Sequence, residues 1–317
     1  MKAVYGGGPC SPALLPSLIL RRRATSAIAC SSSYGNLGHI SFIKDVAATQ
    51  PPEHLSYLLK MLQVRGDTVM SPGARKGLIP LVIPLSKNPS GIITALLRWP
   101  TAPQGMEMPV VEVRKHGVWL LAKNVDQYIH RLLVEEDARN SNEKRAELFD
   151  ASSDAGEKLY KKGDFAESQI ANLDVYLLKK VGLFPDVLER KVKQHLENRD
   201  HVSALITGEF YTKKDHFPGF ARPFVFNAEV LLKFEVADLA QWEDEQLEYI
   251  KEKVSEEGRQ EDLKRGKAPE QVSLDEAAFL LDLASVEGMW TDYLDRIAEC
   301  YKEAGLEDIS RFILYSD

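Results

Sequence analysis

Between Leu78 and Ala122 the chain carries four short apolar runs, Leu78–Leu85, Ile92–Trp99, Val110–Val113 and Val118–Ala122. They are separated by Lys87-Asn88-Pro89-Ser90-Gly91, by a proline-rich stretch and by His116-Gly117. Apolar runs of this length between turn formers read as strands. From Ala151 onward that signature vanishes and helical periods recur. The pattern therefore predicts an α+β protein: a small, mostly antiparallel sheet with flanking helices toward the N-terminus, followed by an α-helical, repeat-like domain. Lys115-His116-Gly117 makes the last two runs a hairpin. Pro80 and Pro84 each remove a ladder donor, so the first run is expected at an edge or with an irregularity.

Helical signals flank the strands. After Pro51-Pro52, Leu55, Leu58, Leu59 and Leu62 fall at i, i+3, i+4, i+7 and stop near Gly66. Asn124 caps a second helix, with Gln127 three residues on and Val125, Tyr128, Ile129, Leu132 and Leu133 on one face. That helix is expected to close the apolar face of the sheet. The polar stretch from Glu135 to Ser153 reads as a boundary, giving an α+β domain over 45–138 and a helical domain over 151–317. Leu159 to Ala166, with Gly163-Asp164-Phe165 at its turn, has the grammar of a tetratricopeptide-like pair, although no 34-residue period repeats. Further helices are expected around Asn172–Val181, Asp186–Asn198, Val202–Thr212, Pro223–Phe234 and Leu239–Ser255. Ser273-Leu274-Asp275-Glu276 reads as a capping box, and Trp290, Tyr293, Leu294, Ile297, Ala298 and Tyr301 form a stripe ending at Gly305.

The charge is unevenly spread. Residues 1–44 hold five bases and no acid; the remainder holds 35 bases against 47 acids. A leader rich in Ser and Ala, with Arg21-Arg22-Arg23 and no acids, has the composition of an organellar transit peptide. Ile28-Ala29-Cys30 and the abundant hydroxyl residues favour a chloroplast, with residues 1–30 removed near Cys30 or Ser31 and the remainder in the stroma. No apolar run approaches the roughly 20 residues that span a bilayer, so stable membrane insertion is not expected. Cys300 is then without a pairing partner and, on a periodic helix, reads as a packed residue.

Catalytic and cofactor signatures are missing: no phosphate-binding loop, dinucleotide fingerprint, HExxH, nucleophile elbow or CxxC occurs. Ser71 to Gly77 is a basic loop whose glycines precede no helix, and it reads as a solvated turn. The histidines are scattered: His195 reads as half-buried, His130 as solvated and His116 as a turn residue. No catalytic residue, cofactor or metal is therefore expected. Residues 235–266 hold eleven acids and five bases, the opposite of the field that nucleic acid binding requires.

Two loops stand out for apolar and cationic residues in stiff, proline-rich settings. Leu97 to Pro109 offers Arg98, Trp99, Met106 and Met108; Lys213 to Pro223 offers Phe217, Phe220 and Arg222. Arg and Trp are enriched in binding hot spots, Met adapts to imperfect surfaces, and proline limits the entropy lost on docking. These seven residues are the candidates for a partner surface; the alternative is that the aromatics cap the cores of their own domains.

The strings HISFIKDVAATQPPEHL from His39, SPGARKGLIPLVIPLSKNPSG from Ser71, RWPTAPQGMEMPVVEVRKHGVWLLAKNVDQYIHRLL from Arg98, YLLKKVGLFPDVLERKV from Tyr176 and TGEFYTKKDHFPGFARPFVF from Thr207 resemble a plant family of biogenesis factors for the chloroplast ATP synthase. The resemblance extends over nearly all of the chain after the leader. It implies a stromal auxiliary factor that binds the unassembled β subunit of the catalytic head, promotes its assembly and is absent from the finished enzyme. It brings no catalytic residues. One departure accompanies it: Leu231-Leu232-Lys233-Phe234 runs straight into Glu235-Val236-Ala237-Asp238, where the family carries a further helical stretch, implying a deletion or a shortened splice form. Two other classes stay open on the residues alone: a helical-repeat scaffold for another stromal complex or for RNA, and an enzyme with an unrecognised site.

Overall fold

The computed structural model describes residues 38–102, 106–139, 142–213, 215–232 and 247–316. The leader, Pro103 to Gly105 of the first candidate loop, the junction at Phe234–Glu235 and the start of the helix expected from Leu239 lie outside the described residues.

Helix α1 (38–45) and helix α2 (Leu55–Val64) come first. Leu55, Leu58, Leu59 and Leu62 of α2 are all buried, and Gly66 turns the chain at φ +97°. A five-stranded antiparallel meander follows in sequence order: β1 (Thr68–Val69), β2 (Val82–Lys87), β3 (Ile93–Leu97), β4 (Val110–Arg114) and β5 (Gly117–Ala122). The two-residue β1 has no sequence signal and pairs only with Ser86 and Lys87. Pro84 therefore lies beyond its end, where β2 has only β3 beside it and is locally an edge. The expected irregularity is there, because the β2–β3 register shifts between Pro84 and Ser86. Buried His39 on α1 donates from Nε2 to Pro84 O at 3.0 Å and secures the bulge. The β4–β5 hairpin turns at Lys115-His116, pairing Arg114 with Gly117.

Asn124 caps helix α3 (Val125–Ala138) as expected, its Oδ1 accepting from Gln127 N at 2.8 Å. The polar stretch after it is helical: α4 (Asn142–Leu159), kinked at Ser153 (φ +46°), packs on α2 and α3. Beyond Gly163 a single turn, α5 (Asp164–Glu167), stands where a tetratricopeptide pair has a long second helix. Helix α6 (Leu173–Tyr176) passes into a π turn over Leu177–Val181. Three antiparallel-packed helices follow, α7 (Pro185–Glu197), α8 (His201–Tyr211) and α9 (Arg222–Leu232). Arg131 on α3 joins this group to the sheet unit. Its guanidinium lies over Phe184, pairs with Asp186 at 2.8 and 2.6 Å and with Glu135 at 2.7 Å, and these partners hold it protonated.

The last group comprises α10 (helical over 247–253), α11 (Glu256–Lys264), α12 (Pro269–Glu287), a 3₁₀ turn at Trp290–Tyr293, α13 (Leu294–Glu303) and α14 (Glu307–Leu314). Pro269 opens α12 four residues before the expected capping box. Proline at the first helical position fits there because its missing donor has no helical partner. Ser273 and Glu276 are thereby buried inside α12 and serve tertiary contacts. Ser273 Oγ donates to Glu303, and Glu276 binds Arg296 at 2.6 and 2.8 Å and Arg259 at 3.0 Å.

The C-terminal group docks back on the sheet unit. At the hairpin, Ser285 Oγ donates to His116 O, His116 Nδ1 donates to Ser285 O at 2.8 Å, and Trp290 Nε1 donates to Lys115 O. At the other end, Ser71 to Gly77 exposes Ser71, Ala74, Lys76 and Gly77, as a solvated turn would, but buries Gly73 and Arg75. Arg75 is buried at 7% exposure, lies over the Phe312 ring at 4.0 Å, and donates to the carbonyls of Pro80, Val82 and Phe312. Burial pushes this guanidinium down to about 10. The sequence signal pointed the wrong way because a basic loop normally faces water; here three carbonyls and a ring replace the water. His130 departs likewise: it is half-buried beside Tyr160, and burial lowers its pKa.

Two outcomes are expected. Arg75→Ala leaves three carbonyls without their donor and should cost about 3 kcal/mol in chemical denaturation, with faster amide exchange in α14; an unchanged midpoint would contradict the role. Buried Cys300, whose thiol burial and Glu276 push up to about 12, should resist iodoacetamide at pH 8 until denaturant is added.

Candidate functional site: the cleft between the sheet and the middle helices

The two candidate loops meet. Strand β3 delivers Arg98 and Trp99 to one end of the sheet, and the turn between α8 and α9 delivers Phe217 to Phe220 against them. Trp99 and Phe220 pack edge to face at 5.4 Å. Gly219 sits beneath the indole at φ +82°, where a Cβ would come within 3.0 Å of Trp99, so the close approach requires glycine.

Several candidates have work inside the fold. Arg98 donates from Nε to Ala47 O at 3.1 Å and from a terminal nitrogen to Trp99 O at 2.6 Å, tying the turn after α1 to the segment that follows β3. Its burial lowers its pKa, and Asp308 opposes that shift. Trp99 is half-buried, with no acceptor for Nε1 among the described residues. Met108 and Phe217 are buried, Phe217 edge-on to Tyr211 at 5.3 Å. Arg222 pairs bidentately with buried Glu189 at 2.8 and 2.9 Å, reaches Glu229 at 2.7 Å and lies 5.0 Å from the Trp119 ring centroid. Its carboxylate partners outweigh desolvation and raise its pKa. Only Met106 among the seven counts as exposed, while Phe220 is half-buried.

What the loops build together is an open cleft of about 400 Å³. Met106, Pro109, Leu120, Phe217, Pro218 and Phe220 form its apolar walls; Lys123, Asn124, Glu107 and Asp215 are its polar groups. Mostly apolar walls with a few polar groups are the usual make-up of a recognition pocket. Phe217 and Pro218 also border a second hollow, of about 290 Å³, whose far wall is Phe224 on α9.

From Phe224 the apolar surface continues onto helices for which the sequence predicted only secondary structure. On α8, Val202 (69% exposed), Leu205 and Ile206 (62%) share the outward face at i, i+3, i+4; on α9, Phe224 (56%), Val225 and Leu231 are exposed. The inward faces are filled by Ala204, Gly208 and Tyr211, and by Pro223, Phe226 and Val230. A signal for this existed: α8 reads HVSALITGEFY, apolar on both faces, and a helix apolar all round needs cover on both. Clustered apolar side chains at these exposures make this face a candidate partner surface. Among the described residues no group of three or more His, Cys, Asp or Glu could hold a metal, and no helix is long and apolar enough to cross a membrane.

Both walls of the cleft belong to one protein family. Residues 37–180 match the PAB N-terminal domain, 185–242 the PAB middle domain and 247–315 the PAB C-terminal domain. The chain belongs to the PAB family. It is 60% identical, over 337 aligned positions covering 98% of this chain and 100% of the relative, to Protein IN CHLOROPLAST ATPASE BIOGENESIS, chloroplastic, of Arabidopsis thaliana. Because 337 positions exceed the 317 residues of this chain, at least 20 positions of that relative have no counterpart here. No solved structure matches. The cleft thus lies where the N-terminal and middle domains of the family abut.

Gly219→Ala is expected to destabilise the chain by about 1–2 kcal/mol, through both its positive φ and the indole packed against it. It should also shift Trp emission to the red. A neutral effect on both readouts would mean that the two loops are not locked together.

Proposed function

We propose that this chain is an auxiliary assembly factor of the chloroplast ATP synthase. It acts in the stroma, binds the unassembled β subunit of the catalytic head, covers an apolar surface of that subunit and leaves when the complex assembles. The observation that carries this reading is the 60% identity over 98% of the chain to a relative named for chloroplast ATPase biogenesis. Two features support the binding part. The cleft and the outward faces of α8 and α9 expose Met106, Val202, Ile206 and Phe224, and nothing in the sequence equips the chain for covalent chemistry. The seven sequence candidates divide accordingly: Met106, Phe217 and Phe220 line the cleft that meets the partner, while Arg98, Trp99, Met108 and Arg222 hold the surface in shape.

Release sets an energetic condition. A factor that bound free and assembled β equally would shift no equilibrium, so its affinity must fall when β meets its neighbours in the ring. The simplest source of that difference is competition: the surface covered by the factor is the one that the α subunit later occupies.

Binding of the full chain to isolated β and to assembled ATP synthase, followed by interferometry, tests this. Tight binding to isolated β and binding at least about tenfold weaker to the assembled enzyme are expected. Ile206→Glu combined with Met106→Ala should weaken binding to isolated β by about tenfold or more without loss of helical circular dichroism. Equal affinity for the two forms, or no binding to isolated β, would overturn the reading. If the chain instead bound RNA or another stromal complex, the scaffold reading would replace it.

A further inference from the structure

One cation in the cleft lacks the arrangement of the half-buried arginines. The half-buried arginines have assigned partners. Arg131 has Asp186 and Glu135, Arg222 has Glu189 and Glu229, and Arg259 and Arg296 share Glu276 and Glu303. Arg75 and Arg98 are held by backbone carbonyls. Lys123 has neither. Among the described residues no carboxylate pairs with its Nζ, whose one described contact is the face of Phe217 at 5.6 Å.

The position of Lys123 is fixed. It follows β5 directly and precedes the cap of α3; its own N–H donates to Gln127 Oε1 at 2.7 Å, while Asn124 takes Gln127 N at 2.8 Å. The backbone is therefore clamped on both sides, and the side chain runs into the cleft lined by Met106, Pro109, Leu120, Phe217 and Phe220. Burial lowers the ammonium's pKa, the direction expected of a charge that has lost water and gained no anion. Glu107 and Asp215 also border the cleft, but both are exposed. Their charges stand in water at the mouth, where salt screens them.

A cleft that is apolar on its walls and holds one underpartnered cation is complementary to an apolar side chain with a carboxylate beside it. We propose that the cleft takes a segment of a partner protein in which an aromatic or aliphatic residue lies within two positions of Asp or Glu. The apolar side chain fills the space between Met106, Leu120, Phe217 and Phe220, and the carboxylate pairs with Lys123 Nζ. This rests on the cleft being a partner site, and it adds which segment of a partner the site selects. Such a pair forms in a partly dehydrated setting, where charge-assisted hydrogen bonds are at their strongest.

The test uses the full chain and a displayed library of random dodecapeptides, so it does not depend on the identity of the partner. Panning on the wild type should enrich peptides with an acid within two positions of an apolar residue. Panning on Lys123→Met, which keeps the apolar stem and removes the charge, should retain the apolar preference and lose the acid. A fluorescent peptide from the first pool should bind Lys123→Met about tenfold more weakly than the wild type, with a shallower salt dependence, while Phe220→Ala weakens it with the salt dependence intact. Matched melting curves establish that both variants are folded. No acid enrichment, equal affinity for the wild type and Lys123→Met, or displacement of the peptide by inorganic phosphate or ATP would overturn the proposal. A chain that selects acidic–apolar peptides yet ignores isolated β would leave this inference standing and remove the assembly reading.

Discussion

A guanidinium taken out of water and held by backbone carbonyls, that of Arg75, closes the molecule. It reaches from the Ser71–Gly77 loop to Pro80 and Val82 at the start of β2 and to Phe312 in the penultimate turn of the chain, covering the ring of the last. Phe312 in turn packs edge-on to Phe42 of α1. The first and last helices are thereby fixed to the same strand, and the C-terminal group is held against the sheet at both ends, by Arg75 on one side and by the His116–Ser285 exchange on the other. An uncompensated buried cation is costly, and carbonyl ligation of this kind is useful only when all the acceptors are in place. The contact therefore favours one arrangement of the N-terminal and C-terminal family domains over others.

The candidate partner surface depends on a second set of contacts, between the N-terminal and middle domains. The cleft has one wall from the N-terminal domain and one from the middle domain. Three cross-ties keep the walls at their distance: Arg131 to Asp186, Arg222 to Glu189 with its cation close to Trp119, and Trp99 against Phe220 over Gly219. Each tie uses a planar group with a defined geometry, so the cleft is preformed and little order has to be imposed when a partner arrives. The outward faces of α8 and α9 extend the same surface with aliphatic residues. A rigid cleft beside an apolar helical face suits the proposed role of an assembly factor that binds an unassembled subunit.

Much of this was legible before the structure, and the misses have physical causes. The strands, the β4–β5 hairpin, the Asn124 cap and helices α2, α3, α7, α8 and α9 follow from period and punctuation, which are local properties. β1 escaped because two residues carry no period. Arg75, Ser273 and Glu276 were misjudged because their surroundings are made by residues up to 237 positions away in the chain, and local pattern reads the first as solvated and the other two as a helix cap. The seven candidate surface residues were found by composition, which cannot separate a side chain that faces a partner from one that braces the loop. Arg98 and Trp99 brace it. The α8 face was missed because all-round apolarity gave the helix no polar side to notice.

The most direct test places a photoreactive amino acid at position 106, and separately at position 206, in the full chain and maps crosslinks to isolated β by mass spectrometry. The account predicts crosslinks from both positions to one contiguous patch of β, and their loss when the α subunit is added and the ring forms. Crosslinks that persist in the assembled ring, or that arise only from a control position outside the cleft and the α8 and α9 faces, such as 265, would contradict it.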